Sequence, residues 1–428
     1  MIYFINTLSV FIYLVSCFRI LHSFKRGIVL LGFILFFQLW SVISCYYNDF
    51  GFYNTELLQY THPSYATTLL VFFYIVFNLG IRFGFRLKIK SLIRIEYHLF
   101  KNISITNIAT ISALFLSIII FFDLVLNLTN SSTSIFSRID RNLLLENANY
   151  LAYLLNNFGF ILAFLLGYLR PIRRGFCPND FFLAILILHF LYMGHKFSSP
   201  ILMFTCYFAP ILSRIIFLNK LNSNFTIRLY FYVFALLFIF ASITIHHYLE
   251  STIDLNDFNE VFFNRIFGFQ GHVWWAVNQD NFIMDSSHWI AELNGIISTS
   301  SVTSDSYGIK YLMLRILGYD IANPIFDRGY LYTMGYPAIL LVSFPLLLGL
   351  FFQFILGTFT FFIINYIYLS VNYNHLLRSL VALIVYIPLM NMIFSGNLGT
   401  FFTLALPIKI IFLFISNSPF IVRTLSRY

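Results

Sequence analysis

The fold class is decided by residues 27–45, which read GIVLLGFILFFQLWSVISC. This run has no charged residue, and its length is close to the roughly 20 apolar residues that a helix needs to cross a bilayer. Similar runs recur along the whole chain, which is 59% hydrophobic and only 10% charged. A soluble domain could not bury so much apolar surface, and the strands of a membrane β-barrel would alternate between apolar and polar residues. The sequence therefore predicts an all-α, polytopic integral membrane protein.

The apolar runs predict about eleven transmembrane helices, with a range of about 10 to 12, in a single membrane domain that covers residues 1–428. The predicted spans are Ile2–Ile20, Gly27–Cys45, Tyr65–Leu79, Ile105–Leu126, Tyr150–Leu169, Phe181–Met193, Ile201–Leu218, Leu229–Tyr248, Pro337–Ile367, Leu380–Ile393 and Thr400–Ile415. The ninth is long for one helix, so Pro345 and Gly349 are expected to kink it and Gly357 to break it. Residues 250–335 form one large polar loop.

The basic residues predict how the chain is oriented. They are concentrated in short connections between alternate spans, such as residues 82–94 and 170–174, which the positive-inside rule places in the cytoplasm. The N-terminus and the large loop then lie outside and the C-terminus inside. In a bacterial inner membrane the large loop faces the periplasm. Topology and contact with anionic membrane lipid explain the formal net charge of +9, so no nucleic-acid partner is expected.

The cysteines predict neither disulfides nor a metal site. All four lie outside the large loop, and no pair has the spacing of metal ligands. The chain also lacks a phosphate-binding Walker loop, a dinucleotide fingerprint and the zinc-protease helix motif. We therefore expect no cofactor and no metal.

The candidate functional residues begin with residues 264–275 of the large loop, which read NRIFGFQGHVWW. Arg265 lies among apolar residues, where a charge at bilayer depth costs on the order of 3 kcal/mol, so it is a candidate phosphate ligand. On a continuous helix it would share one face with Phe269 and His272. His272 is open to three roles, as a general base, a phosphate donor or a structural residue. His288, His246 and His247 compete with it for the first of these roles.

Two tryptophans and further cations complete the candidate set. Trp274 and Trp275 would either stack on a sugar ring or anchor the loop at the level of the lipid headgroups. The other outer cations are Arg138 and Arg141 after the fourth span, Lys196 in the turn between the sixth and seventh spans, and Lys310, Arg315 and Arg328 in the large loop. Each is either a clamp for a diphosphate or a solvated surface charge. Within the spans, Asp123 and His189 would suit the proton relay of a transporter.

Four segments in order resemble those of Wzy-type O-antigen polymerases, the oligosaccharide repeat unit polymerase family. Residues 265–275 look like its Arg, Gln-Gly and Trp signature, and residues 194–198 resemble its Gly-x-Lys-Phe-Ser turn. Residues 308–313 and 335–339 look like later landmarks of the family. The resemblance covers roughly residues 194–339, and the flanking helices match only as apolar spans.

The resemblance implies a fold similar to the GT-C-type membrane glycosyltransferases and a substrate, an oligosaccharide repeat unit on undecaprenyl pyrophosphate. Arg265 and Lys196 would stabilise the charge of the departing pyrophosphate, and His272 would accept the proton of the acceptor hydroxyl. The implied substrate-binding residues are Arg138, Arg141, Gln270, Trp274, Trp275 and Arg315. A Wzz-type regulator of chain length is the protein partner that the family implies.

Two departures from the family leave alternatives open. The chain has one dominant outer loop where such polymerases have two, and His195 stands in the turn where an acidic or small residue is expected. An O-antigen ligase, which transfers the same chain to a lipid A core, also uses Arg and His in its loop. A flippase or other transporter for lipid-linked oligosaccharides is the alternative that is not an enzyme.

Overall fold

The computed structural model describes residues 1–24, 27–52, 64–87, scattered positions between 112 and 125, 150–171, 177–192, 198–217, 263–279, 288–298, 305, 307–327, 336–396, 398–403 and 405–416. These parts of the chain form helices and no strand. The α-helices are α1 (Ile2–Ser23), α2 (Ile28–Asp49), α3 (Ala66–Arg86), α4 (Tyr150–Leu169), α5 (Pro178–Tyr192), α6 (Ser198–Phe217), α7 (His272–Gln279), α8 (His288–Ser298), α9 (Gly308–Leu317), α10 (Tyr319–Asp327), α11 (Ala338–Ser343), α12 (Leu346–Asn372), α13 (Leu376–Ser395) and α14 (Ala405–Ser416).

The chain is a polytopic membrane protein. Six of the helices in its described part are long and apolar enough to cross a bilayer, namely α1, α2, α3, α6, α12 and α13. Two shorter apolar stretches lie within α4 and α5, at Phe158–Leu169 and Pro178–Leu191. The predicted spans at Ile105–Leu126 and Leu229–Tyr248 fall largely or wholly outside the described residues, so the total of about eleven remains a prediction.

The most extensive helix pairing in the described bundle is that of α3 with α12. Gly80 of α3 lies against the backbone of Phe354, and Gly357 of α12 lies against the backbone of Phe77, so close that a Cβ at either glycine would stand 2.1–2.2 Å from a carbonyl oxygen. Small residues let membrane helices approach closely, which gains van der Waals contact where lipid offers no hydrophobic driving force. Gly357 was expected to break its helix. Instead, α12 continues through it without interruption, and the glycine forms the helix contact.

The break in this region occurs earlier in the chain. Helix α11 ends at Ser343, Phe344 is extended, and α12 begins after Pro345. Proline restricts the residue before it to extended conformations, which explains the position of the break. The ninth predicted span is therefore one membrane helix preceded by a short separate helix.

Helices α4, α5 and α6 pack together and join the rest of the bundle through α2, α12 and α13. Their shared end is fixed by Asp180, which accepts two hydrogen bonds from the Arg170 guanidinium at 2.9 and 3.1 Å and one from the Tyr207 hydroxyl. Burial lowers the pKa of Arg170 and the Asp180 carboxylate raises it, with a net upward shift. We call this the opposite end of the bundle, because it lies away from the candidate residues of the large loop.

The other end, here called the loop end, is formed by the start of α1, the last turn of α2, the first turn of α3 and the helices of the large loop. Helix α7 packs against α2, α3, α9 and α11, and α8 packs against α11 and the 3₁₀ turn Leu398–Thr400. The loop predicted as one polar interval therefore contains helices that build onto the membrane bundle.

Candidate functional site

Residues 264–279 are docked on the last two turns of α2. The Tyr47 hydroxyl donates to Asn264 Oδ1 at 3.1 Å, and Asn48 Nδ2 donates to the carbonyl of Gly268 at 3.0 Å. The backbone N–H of Gly271 donates to Ser44 Oγ at 2.7 Å. These contacts join residues more than 200 positions apart along the chain. They fix residues 264–271 to the membrane bundle.

The glycines of this segment allow the close approach. A Cβ on Gly271 would stand 2.3 Å from the backbone nitrogen of Cys45 and 2.7 Å from the carbonyl oxygen of Ser41. A Cβ on Gly268 would stand 3.0 Å from Asn48 Oδ1. Packing of this segment against α2 therefore requires a glycine at position 271.

The segment is not the continuous α-helix that the sequence suggested. Asn264–Gly268 form a π-helix, a turn follows at residues 269–271, and α7 begins at His272. π-Helices are rare and occur frequently at functional sites. Arg265 lies within this π-helix. Its backbone is thereby placed at the loop end, and the position of its side chain is outside what the structure describes.

The rings of Phe269 and His272 lie against each other, with centroids 4.9 Å apart. His272 is 2% exposed, and its Nδ1 donates to the carbonyl of Phe269. In the neutral ring this donation leaves the basic lone pair on Nε2. Gln270, the predicted ligand of the acceptor sugar, is half-buried beside them.

Trp274 and Trp275 lie inside the protein. They are 1% and 0% exposed, and their Nε1 groups donate to the carbonyl of Ala66 at 2.8 Å and to Asp49 Oδ1 at 3.0 Å. Trp274 also contacts Phe73 edge to face. Neither ring lies at the headgroup level of an exposed surface, and neither presents an open face to a sugar in this conformation. Their role in substrate binding stays a prediction.

Asp49 is the polar centre of the loop end. It is fully buried and accepts six hydrogen bonds, from Asn6 Nδ2, from the backbone N–H and hydroxyl of Ser64, from the same two groups of Thr67, and from Trp275 Nε1. The carboxylate also sits at the N-terminus of α3, where a negative charge is favourable. Asp49 thus joins α1, α2, α3 and α7 through one side chain.

A second polar cluster connects α8 to α9. His288 and Glu292 are 5% and 2% exposed, and His288 Nε2 donates to Glu292 Oε1 at 3.3 Å. The same oxygen accepts the backbone N–H of Gly308, the first residue of α9, at 2.7 Å. The His288 ring stacks on Tyr311 at 4.1 Å, and the Tyr311 hydroxyl accepts a hydrogen bond from the exposed Arg315 at 2.6 Å. Hydrogen bonds and one ring-stacking contact therefore link the buried carboxylate to a surface cation.

The structure brings together some of the predicted site residues and leaves others undescribed. His272, Gln270, Trp274 and Trp275 share one segment, and Arg315 lies on α9, which packs against α7. Lys196, Arg138 and Arg141 lie outside the described residues, as do Asp123, His246, His247 and Arg328. Lys310 forms an ion pair with Asp305 at 2.6 Å and lies over the Phe326 ring.

Sequence reasoning missed the role of Asp49 and gave Glu292 only a place among many loop carboxylates. A carboxylate that ends a long apolar run was the available signal for Asp49, because a charge there needs partners. For Glu292 the signal was the spacing of four residues from His288 on one helix.

Comparison with known proteins gives one similarity. The model of a family of unknown function, DUF6418, matches residues 302–410, which is about a quarter of the chain. This region runs from the approach to α9 into α14 and includes Gly308, Tyr311 and Arg315. No curated protein and no solved structure matches the chain.

Proposed function

We propose that the protein is a glycosyltransferase of the bacterial inner membrane that joins oligosaccharide repeat units carried on undecaprenyl pyrophosphate, and so acts as an O-antigen polymerase with a GT-C-like fold. The observation that carries the proposal is the docking of the family-like segment 264–275 onto α2, with Arg265 in a π-helix at the end of the membrane bundle. A lipid-linked diphosphate lies at this depth of a membrane, and guanidinium groups bind phosphate oxygens well.

The reaction requires cations and a base, and no nucleotide sugar. The bond between the anomeric carbon of the growing chain and its pyrophosphate oxygen breaks, and the lipid pyrophosphate leaves with the electron pair. A hydroxyl of the new lipid-linked unit forms the bond to that carbon. Arg265 and Lys196 stabilise the leaving group, with Arg138, Arg141 and Arg315 binding the diphosphate or sugar.

The hydroxyl proton goes to His272 in this scheme. Its Nδ1 donates to the Phe269 carbonyl, which makes Nε2 the basic nitrogen. Because His272 is only 2% exposed, the acceptor hydroxyl reaches Nε2 in this scheme through a rearrangement of the loop end. Gln270 is assigned to the acceptor sugar. The two tryptophans are buried in this conformation, so their contact with the sugar requires the loop end to rearrange when the substrate binds.

A transporter for the same lipid-linked saccharide is less well supported by the described spans. Transporters place charged groups near the middle of their spans along a central path. Here the charged side chains of the described bundle helices, α1 to α6 and α12 to α14, all lie within about a turn and a half of a helix end. These residues are Arg19, Asp49, Arg82, Arg86, Asp180, Arg214, Arg378 and Lys409.

The test is the lipopolysaccharide profile of a deletion strain complemented with wild type or with Arg265→Ala, at equal membrane expression. We expect the wild type to restore a ladder of chain lengths. The deletion strain and Arg265→Ala should show core carrying a single repeat unit, because departure of the pyrophosphate loses its cation.

Arg86→Ala is the matched control, since Arg86 is an exposed arginine at the far end of α3 from the loop end. It should restore the full ladder. A ladder that persists in the deletion strain would contradict the polymerase proposal. Loss of all O-antigen from the core would instead favour the ligase or the flippase.

A further inference from the structure

Among residues 288–295 of helix α8, the two ionisable side chains lie inside the protein and three large apolar side chains lie outside. His288 and Glu292 face the protein, whereas Trp289, Ile290 and Leu293 are 41%, 49% and 41% exposed. On a helical wheel the buried positions form one face and the exposed positions the other, and Asn294 is the polar member of the exposed set. A helix that faces water shows the reverse arrangement.

We infer that the exposed face of α8 contacts lipid acyl chains at the membrane interface of the loop end. The helix has 11 residues. Its length of about 16 Å is too short to cross a hydrocarbon core of about 30 Å, so it lies along the interface. Tryptophan is enriched at that level of a membrane, because its ring is apolar and its N–H is polar.

Helix α8 lies close to the start of a membrane span. Helix α8 packs against α11, and α11 is separated by only two residues from α12, which is long and apolar enough to span. The first turn of α12 exposes Leu346, Leu347 and Leu348, with Leu347 at 81%. Lipid is therefore the occupant that fits both surfaces, since a transmembrane helix with exposed leucines faces acyl chains.

The same arrangement shields His288 and Glu292 from water. His288 and Glu292 lie between the exposed apolar side chains of α8 and the N-terminus of α9. A lipid layer over α8 keeps water from that side of the pair. Part of the large loop would then be a membrane-surface element rather than a segment in bulk water.

Tryptophan quenching in reconstituted vesicles tests the contact. The full chain has four tryptophans. Trp274 and Trp275 are buried, and the emission of Trp289 is obtained as the difference between wild type and Trp289→Phe. Phosphatidylcholine brominated near the headgroup end of its chains should reduce the emission of wild type more than that of Trp289→Phe. Aqueous iodide should reduce both to the same extent.

The opposite pattern, with the Trp289 component lost to iodide and unaffected by brominated lipid, would overturn the inference. Protection from both quenchers would also overturn it, because it would mean that protein, such as a second copy of the chain, covers α8.

A labelling experiment gives a second readout that does not depend on fluorescence. The four native cysteines are buried, so introduced cysteines dominate the reaction with a membrane-impermeant maleimide. Leu293→Cys should be labelled much less than Asp320→Cys. Asp320 is an exposed position on α10 and serves as the aqueous control. Equal labelling of the two positions in vesicles would place Leu293 in water and contradict lipid contact.

Discussion

At the scale of single residues, Gly271 controls how closely the large loop approaches the membrane bundle. Its missing side chain leaves room for the backbone of Cys45 and Ser41, and its N–H bonds to Ser44. We predict that Gly271→Ala lowers the free energy of unfolding by about 1–3 kcal/mol, because two backbones have to separate. Thermal unfolding of the purified protein in detergent would measure this loss.

Gly32→Ala is the control for that variant. Gly32 lies in α2, and no atom is within 4 Å of a Cβ built on it. Alanine is favoured over glycine in a helix by about 1 kcal/mol, so this variant should keep or raise the unfolding temperature. Equal destabilisation by the two substitutions would show that the loop does not dock as described.

The sequence predicts the types of residue that form a candidate site, but it does not predict their distant partners. The types of residue in 264–275 singled out this segment as a candidate, because a cation, an imidazole and two indoles are unusual together in a loop between membrane spans. The partners of Asp49 were not accessible, since Asn6 and Trp275 are 43 and 226 positions away along the chain. Burial of both indoles follows from those distant contacts, so the sequence could not distinguish a sugar-binding surface from the protein interior.

At the scale of the elements, Glu292 holds α8 and α9 together. Its carboxylate accepts from His288 on its own helix and from Gly308 at the start of α9. We predict that Glu292→Ala costs about 1–3 kcal/mol of stability, because a buried backbone N–H loses its acceptor. Glu292→Gln keeps one carbonyl oxygen and should cost less. Thermal unfolding in detergent again measures both.

The control on the same helix is Asn294→Ala, because Asn294 is exposed and lies on the opposite face. It should change stability by no more than about 0.5 kcal/mol, as is usual for a surface substitution. If Asn294→Ala lowered the stability as much as Glu292→Ala does, the Glu292 carboxylate would not be what holds α8 and α9 together.

Long apolar elements were predictable and short ones were not. The sequence placed a span at Tyr150–Leu169, and α4 has these bounds. Its apolar composition is enough to predict a helix there. The π-helix at Asn264–Gly268 depends on contacts with α2, and the helices α8 to α10 are too short for their periodicity to separate them from polar loop.

At the scale of the whole molecule, charge is distributed unequally between the two ends of the bundle. Arginines concentrate at the opposite end, in the last turns of α3 and α6, at the end of α4 and in the first turn of α13. The described cations of the loop end include Lys310, which is neutralised by Asp305, and Arg315. Positive charge retained on one side of a bilayer orients a membrane protein, so the loop end should face outward.

Cysteine labelling of right-side-out spheroplasts would test this orientation. Asp320→Cys on α10 belongs to the loop end, and Leu87→Cys follows Arg86 at the opposite end; both positions are exposed. We predict that a membrane-impermeant maleimide labels Asp320→Cys in intact spheroplasts and labels Leu87→Cys only after permeabilisation. The reverse pattern would place the segment 264–275 in the cytoplasm. It would also rule out a reaction on saccharides displayed at the outer face, because the docked segment and its π-helix would be on the wrong side of the membrane.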